Sequence, residues 1–239
     1  YCDALIYAEI RERRAHFDPE RIDILNLLLS AEDEEGNRLS DVELRDELMT
    51  LLFAGHETTA TSTTWALYLI HQQPEVYEKL VAEIATLGEH PDPMAIFKLP
   101  YLTAVCNETL RLYSPAMLTF GRIASQPTAL LGQEIAANML VVGSIYLTHR
   151  RSDIYTDPEQ FQPDRFLAKQ FSPYEFIPFG GGSRRCLGLA MAQFEMKLIV
   201  ATILAQVKLK HFAPNHPLKP VRRGALLAME SGFLMQAIA

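Results

Sequence analysis

Between Phe179 and Gly188 the chain reads Phe-Gly-Gly-Gly-Ser-Arg-Arg-Cys-Leu-Gly, and no other stretch restricts the fold as strongly. Three successive glycines admit backbone conformations closed to other residues, so they specify a turn that can pass close to a flat ligand. An apolar run follows, which predicts a last long helix from Leu187 to about Leu209 with Cys186 held at its start. There a thiol meets unpaired backbone N–H groups and the positive end of a helix dipole, beside Arg184 and Arg185, and these favour thiolate. A thiolate is a strong iron ligand. The competing reading, a buried free thiol, is the usual fate of an isolated cysteine, and it is the neighbouring glycines and arginines that argue against it.

Composition narrows the remaining possibilities. A chain of 239 residues with 49% hydrophobic and 21% charged residues has the make-up of a soluble globular protein. Its net charge of -7 argues against a nucleic-acid partner, which would need a dominant basic face. Cys2, Cys106 and Cys186 are too few and too irregularly spaced for a disulfide framework. A reducing, cytoplasmic compartment is therefore expected, with Cys106 in the core. No uninterrupted apolar run approaches the roughly 20 residues of a membrane span, and no signal peptide opens the chain. Any leader or anchor would lie upstream of Tyr1.

The pattern along the chain predicts a mainly helical fold with small β-sheets (α+β). Residues 1–30 read as helical, followed by a polar loop from Ala31 to Leu39. Ser40 and Glu43 form a capping box that opens a long helix to about Gln73. Pro74 suits the first turn of the next helix, ending near Gly88, and Pro100 opens another to about Tyr113, closed by Ser114-Pro115. From Met117 to about Ile145, short β-prone runs broken by Gly121, Gly132 and Gly143 read as small sheets. Asp157 to Phe179 reads as coil, and the tail from Pro217 to Ala239 as a hairpin turning at Ser231-Gly232.

Phe179, Gly182, Arg184, Cys186 and Gly188 match Phe-x-x-Gly-x-Arg-x-Cys-x-Gly, and on these residues the chain resembles the cytochrome P450 family. Five fixed positions, one a cysteine, arise by chance in about one chain in 10^4 of this size. The resemblance extends over residues 1–239, with landmarks in family order, and implies the C-terminal part of a single cytochrome P450 domain whose N-terminal half is absent. It makes Cys186 the axial ligand of haem b (iron protoporphyrin IX), with electron donation that favours O–O cleavage. Arg184 would pair with one propionate, and Arg122, in Phe120-Gly-Arg-Ile123, with the other.

Three further motifs take their meaning from that resemblance. Ala54-Gly-His-Glu-Thr-Thr59 lies within the long helix, where Gly55 costs about 1 kcal/mol relative to alanine. Close packing would explain the glycine; the resemblance implies instead a groove for dioxygen and water, with Thr58 assisting oxygen activation and Glu57 in proton delivery. His56-Glu57 also begins a zinc-protease motif, but Ala60 occupies the second histidine position. Glu108 and Arg111, alone an ordinary helix-surface pair, sit on a largely apolar helix. With Arg165 in Pro163-Asp-Arg-Phe166 they match the family's structural ion-pair network, which fixes the cysteine loop. His149-Arg150 matches a His-Arg turn to which no catalytic role is assigned. His16, His71, His90, His211 and His216 read as surface or core residues. One departure stands out: where the family commonly has Ile-Pro-x-Gly-x, this chain has Ile135-Ala-Ala-Asn-Met139, and Asn138 must adopt the left-handed conformation to keep the turn. Neither a nucleophile elbow nor a phosphate loop is present.

The implied function is a haem-thiolate monooxygenase that hydroxylates a small lipophilic substrate using O2. The helix before Gly55, the segment Met117 to Thr119 and the region of Met229 would form apolar substrate contacts. The sequence texture is similar to bacterial, particularly cyanobacterial, members linked to fatty-acid or alkane hydroxylation. A separate electron-transfer protein, a ferredoxin or flavodoxin with its reductase, is expected to dock on Arg150, Arg151, Arg184, Arg185, Lys197, Lys208 and Lys210. Two alternatives share Cys186: a haem binder or peroxide isomerase without oxygenase activity, and a truncated, inactive fragment.

Overall fold

The computed structural model describes residues 1–211 and 218–238. Its backbone contacts divide the chain into two compact units, Tyr1–Glu57 and Thr58–Ala239.

The first unit holds α1 (Cys2–Ala15), α2 (Ile24–Ser30) and the opening turns of α3 (Asp41–Gln72). The predicted continuous helix over residues 1–30 is in fact two. The chain leaves helical geometry at His16, Pro19 follows, and the Asp23 carboxylate restarts it by accepting from the Asn26 N–H at 3.0 Å. Ile6, Ile10, Leu25, Leu29 and Leu44 form this unit's core. The capping box forms as the sequence predicts: the Glu43 N–H donates to Ser40 Oγ at 3.3 Å, and the Ser40 N–H donates to Glu43 Oε2 at 2.8 Å.

The second unit is built on α6 (Pro100–Leu112), which packs against α4 (Pro74–Ala85) and the last long helix, α9 (Leu189–Gln206). Short helices α5 (Pro93–Phe97), α7 (Ile145–Thr148) and α8 (Arg165–Ala168) lie between these; none was read from the sequence, and α8 interrupts the stretch from Asp157 to Phe179 expected to be coil. Trp65, Leu80, Leu102, Val105, Met196 and Val200 lie at the centre of the core. Cys106 is buried there, as expected, and burial pushes its thiol up to about 12.

The sheets are small and antiparallel, as the sequence predicts. β1 (Arg122–Ile123) pairs with β4 (Leu140–Val141), and β2 (Thr128–Leu130) with β3 (Gln133–Ile135). The tail differs from the predicted hairpin. β6 (Pro220–Arg223) pairs with β7 (Leu226–Met229) around Gly224, while β8 (Met235–Ile238) pairs with β5 (Lys208–His211). Ser231-Gly232 is thus a link between sheets rather than a hairpin tip; Pro217 and Ala239, like His216, lie outside the described residues. Asn138 takes φ of 64° and keeps the turn that glycine would otherwise serve.

α9 is the one element among the described residues long and apolar enough to cross a membrane, with a mean hydropathy of 1.3. Its Met196, Val200, Ala201 and Leu204 are in the core, and the Lys197 ammonium donates to the Phe97 carbonyl at 2.9 Å.

Candidate haem-thiolate site

The cysteine loop is assembled from backbone hydrogen bonds that the glycines permit. Gly180 and Gly182 adopt φ of 68° and 65°, closed to most side chains, and Gly182–Arg184 forms one 3-10 turn. The Gly180 N–H donates to the Ile177 carbonyl at 3.0 Å, and the Cys186 N–H to the Phe179 carbonyl at 2.9 Å. α9 begins only at Leu189, with Gly188 as its N-cap, so Cys186 lies in the loop ahead of the helix and not in its first turn. The expected helix start at Leu187 is corrected accordingly: Gly188 is not in regular helical geometry, with φ of -80° and ψ of 11°.

The residues around the thiol fit a flat, anionic, apolar-bodied cofactor. Cys186 is exposed, and an added Cβ at Gly180, Gly181, Gly182 or Gly188 would meet no atom within 4 Å. Leu187 is 91% and Phe120 72% exposed, large apolar surface of the kind a macrocycle covers. Arg184 lies 5.7 Å from the centre of the Phe120 ring, and Arg122 Nη1 donates to the Phe120 carbonyl at 2.6 Å. Two arginines from distant parts of the sequence thereby meet at one residue. Among the described residues, neither has a carboxylate in ion-pair range, which leaves both cations available to an anion. Arg185 is exposed, as expected.

A buried ion-pair network is centred on Glu108. The Glu108 and Arg111 side chains are 0% exposed, and Arg165 is 9%. Glu108 accepts from Arg111 Nε and Nη2 at 2.7 and 2.8 Å, from Arg165 Nε at 3.0 Å, and from the Gln162 N–H at 2.9 Å. Arg111 donates its remaining protons to the carbonyls of His149, Pro158 and Gln160, at 2.8, 2.6 and 3.0 Å. Every donor of this guanidinium is satisfied, the condition under which a buried ion pair is tolerated. Arg165 Nη1 reaches the Thr156 carbonyl at 2.9 Å, tying down the coil after α7.

The Ala54–Thr59 segment lies inside α3 as predicted. Gly55, His56 and Glu57 are exposed and belong to the first unit, whereas Thr58 is half-buried and opens the second. A Cβ at Gly55 would meet nothing within 4 Å, so close packing does not account for the glycine. Of the expected substrate contacts, Leu118 is 52% exposed and Met229 is buried. Lys197 is removed from the expected docking face, because it is buried and bonded to Phe97.

The sequence reading missed two residues. Ser114, taken only as a helix stop, donates to the Pro178 carbonyl at 3.3 Å. His149 is fully buried between α6 and the loop. A polar residue just beyond a helix end was the available signal for Ser114; for His149 there was only its place in the His-Arg pair.

Comparison with known proteins agrees with this geometry. The family model for cytochrome P450 matches residues 1–236, and the chain belongs to that family. It is 42% identical over 210 residues to a Mycobacterium tuberculosis protein named "Putative cytochrome P450 135B1", covering 87% of this chain and 43% of that one. A second protein of that organism, "Putative cytochrome P450 137", is 39% identical over 235 residues, or 96% of this chain and 46% of its own length. The crystal structure of the cytochrome P450DA heme domain superposes with a TM-score of 0.90 at 31% identity, over 99% of this chain and 53% of that one. The chain therefore spans about half the length of these relatives.

Proposed function

We propose that residues 1–239 form the C-terminal part of a single haem-thiolate monooxygenase domain, the part that holds the cofactor. Family membership and fold support an oxidoreductase of this general class. The observation that carries the reading is the cysteine loop itself: an exposed thiol among open glycines, with Arg184 of that loop and Arg122 meeting at Phe120, neither paired with a carboxylate among the described residues. When bound, haem b supplies dioxygen activation, so that substrate C–H, O2, two electrons and two protons become C–OH and water.

The chain's own residues then have distinct tasks. Cys186 Sγ holds the iron, and Arg184 and Arg122 neutralise the propionates. Gly182 and Gly188 let the backbone approach, Phe179 anchors the Cys186 amide through its carbonyl, and Glu108, Arg111 and Arg165 keep the loop in place. In α3, Gly55 leaves room beside the helix, Thr58 orients a proton at its hydroxyl, and Glu57 relays protons from solvent.

A lipophilic substrate, such as a fatty acid, alkane or terpenoid, suits the apolar segment around Leu118. Turnover of a polar macrolide but not of lauric acid would rule that class out. Electrons would come from a separate ferredoxin or flavodoxin docking on Arg151, Arg184, Arg185, Lys208 and Lys210; Lys197 is excluded by its burial, and Arg150 because its largely buried guanidinium is bonded to the Leu112 carbonyl. Three free cysteines suit a cytoplasmic setting.

The test is the reduced carbon-monoxide difference spectrum after haem reconstitution, for wild type and Cys186→Ala. A red-shifted Soret band lost in the variant is expected; an identical band in both would overturn Cys186 as ligand. The second reading is a haem-binding unit without oxygenase activity, which would share Cys186. It predicts the same spectrum with no product formed when electrons are supplied.

A further inference from the structure

His149 lies where two buried structures meet. Its ring is completely enclosed, stacked on Phe176 at 5.4 Å and edge-on to Tyr155 at 6.5 Å. The Ile177 N–H donates to Nε2 at 2.9 Å, so that nitrogen must be unprotonated. The proton therefore sits on Nδ1, which donates to the Arg111 carbonyl at 3.1 Å. The Arg111 guanidinium in turn donates to the His149 carbonyl at 2.8 Å, making the contact reciprocal.

Both ends of that ring do work that an apolar side chain could not. The last carbonyls of a helix lack intrahelical partners, and at α6 the His149 ring takes that of Arg111 while Arg150 Nη2 takes that of Leu112 at 2.8 Å. The His-Arg pair is thus a C-terminal cap for α6. At the other end, Ile177 begins the turn that Gly180 closes, and that turn delivers the Phe179 carbonyl to the Cys186 amide.

We propose that His149 is the positioning residue that couples the Glu108–Arg111–Arg165 network to the cysteine loop, by holding the Ile177 amide at a fixed place relative to the end of α6. The inference rests on Cys186 as the haem ligand, since only then does the loop's position bear on function. Burial holds the imidazole well below its usual range, at about 3, so the neutral ring that this arrangement needs persists at ordinary pH.

Two substitutions separate the ring's two bonds. His149→Asn retains a donor near the Nδ1 position and loses the acceptor; His149→Gln places a carbonyl near the Nε2 position and loses the donor. Hydrogen exchange of the 239-residue chain, without cofactor, reads the loop (residues 176–188) against α6 and α9. In His149→Asn the loop is expected to exchange about tenfold faster, the change that losing one buried hydrogen bond produces, with α6 and α9 unchanged. In His149→Gln the loop should stay protected. Equal loop exchange in the two variants, or loss of α6 protection together with the loop in both, would overturn the proposal and leave His149 a core residue. With haem added, His149→Asn should shift the reduced carbon-monoxide spectrum from the thiolate towards the thiol position, and His149→Gln should not. Failure of the wild-type chain to take up haem would show that residues 1–239 alone do not hold the cofactor, and leave the exchange comparison to decide the role of His149.

Discussion

Arg111 uses every one of its N–H donors inside the protein, two on Glu108 and three on backbone carbonyls. Its pairing with Glu108 was legible because both are side chains of fixed spacing on one helix; its backbone acceptors were not, because a carbonyl carries no residue identity. Glu108→Gln would leave two guanidinium groups without their carboxylate, and the chain should lose about 3 to 5 kcal/mol of stability in urea denaturation. A loss below about 1 kcal/mol, the range of an exposed pair, would show that the network does not hold the fold. His149 gives a pH dependence of known sign. Its folded value of about 3 lies below the unfolded 6.5, so the unfolded state binds the proton first, and stability falls as pH drops through that window. At pH 4.5 wild type should lose about 2 to 3 kcal/mol more, relative to pH 7, than His149→Gln. Parallel urea midpoints for the two proteins would contradict this.

Among the elements, those with explicit end signals were read correctly. Ser40 with Glu43 marks the start of α3, and Pro74 and Pro100 stand at the first positions of α4 and α6. Ser40→Ala should cost about 1 kcal/mol in the midpoint of thermal unfolding, as removal of an N-cap does; an unchanged midpoint would show that α3 is held by packing alone. Elements decided by competing signals were misread. Residues 1–30 read as one helix although the stretch from Arg11 to Asp23 is mostly charged and carries Pro19, and the helix restarts only at the Asp23 cap. Apolar residues run from Leu187 into α9, yet the helix waits for Gly188. Gly182→Ala should destabilise the cysteine loop by about 1 to 2 kcal/mol, because φ of 65° is unfavourable for a Cβ even where space is open. Local hydrogen exchange at residues 179–188 would measure it.

At the scale of the molecule, the second unit pairs a dense core with large exposed apolar side chains at Leu187 and Phe120. A ligand that binds the folded chain alone stabilises it by mass action. Haem at a hundred times its dissociation constant should therefore add about 2.7 kcal/mol. Differential scanning calorimetry of wild type and Cys186→Ala would show the upward shift in the first and its loss in the second; equal shifts would mean that binding does not pass through the thiol. α9 illustrates why composition underdetermines placement at this scale. Its mean hydropathy of 1.3 satisfies a membrane-span criterion, while Met196, Val200 and Leu204 pack into the unit's core.

The sequence by itself determined the family, the cysteine loop, the capped start of α3 and the Glu108–Arg111–Arg165 set, since each rests on side-chain identity at short or fixed spacing. The tertiary structure alone decided the pairing of β5 with β8, the meeting of Arg122 and Arg184 at Phe120, the burial of Lys197, and the bridge from the Arg111 carbonyl through His149 to Ile177. These join residues far apart in the chain, often through backbone groups that every residue shares, so their specificity resides in where folding brings them and not in what they are.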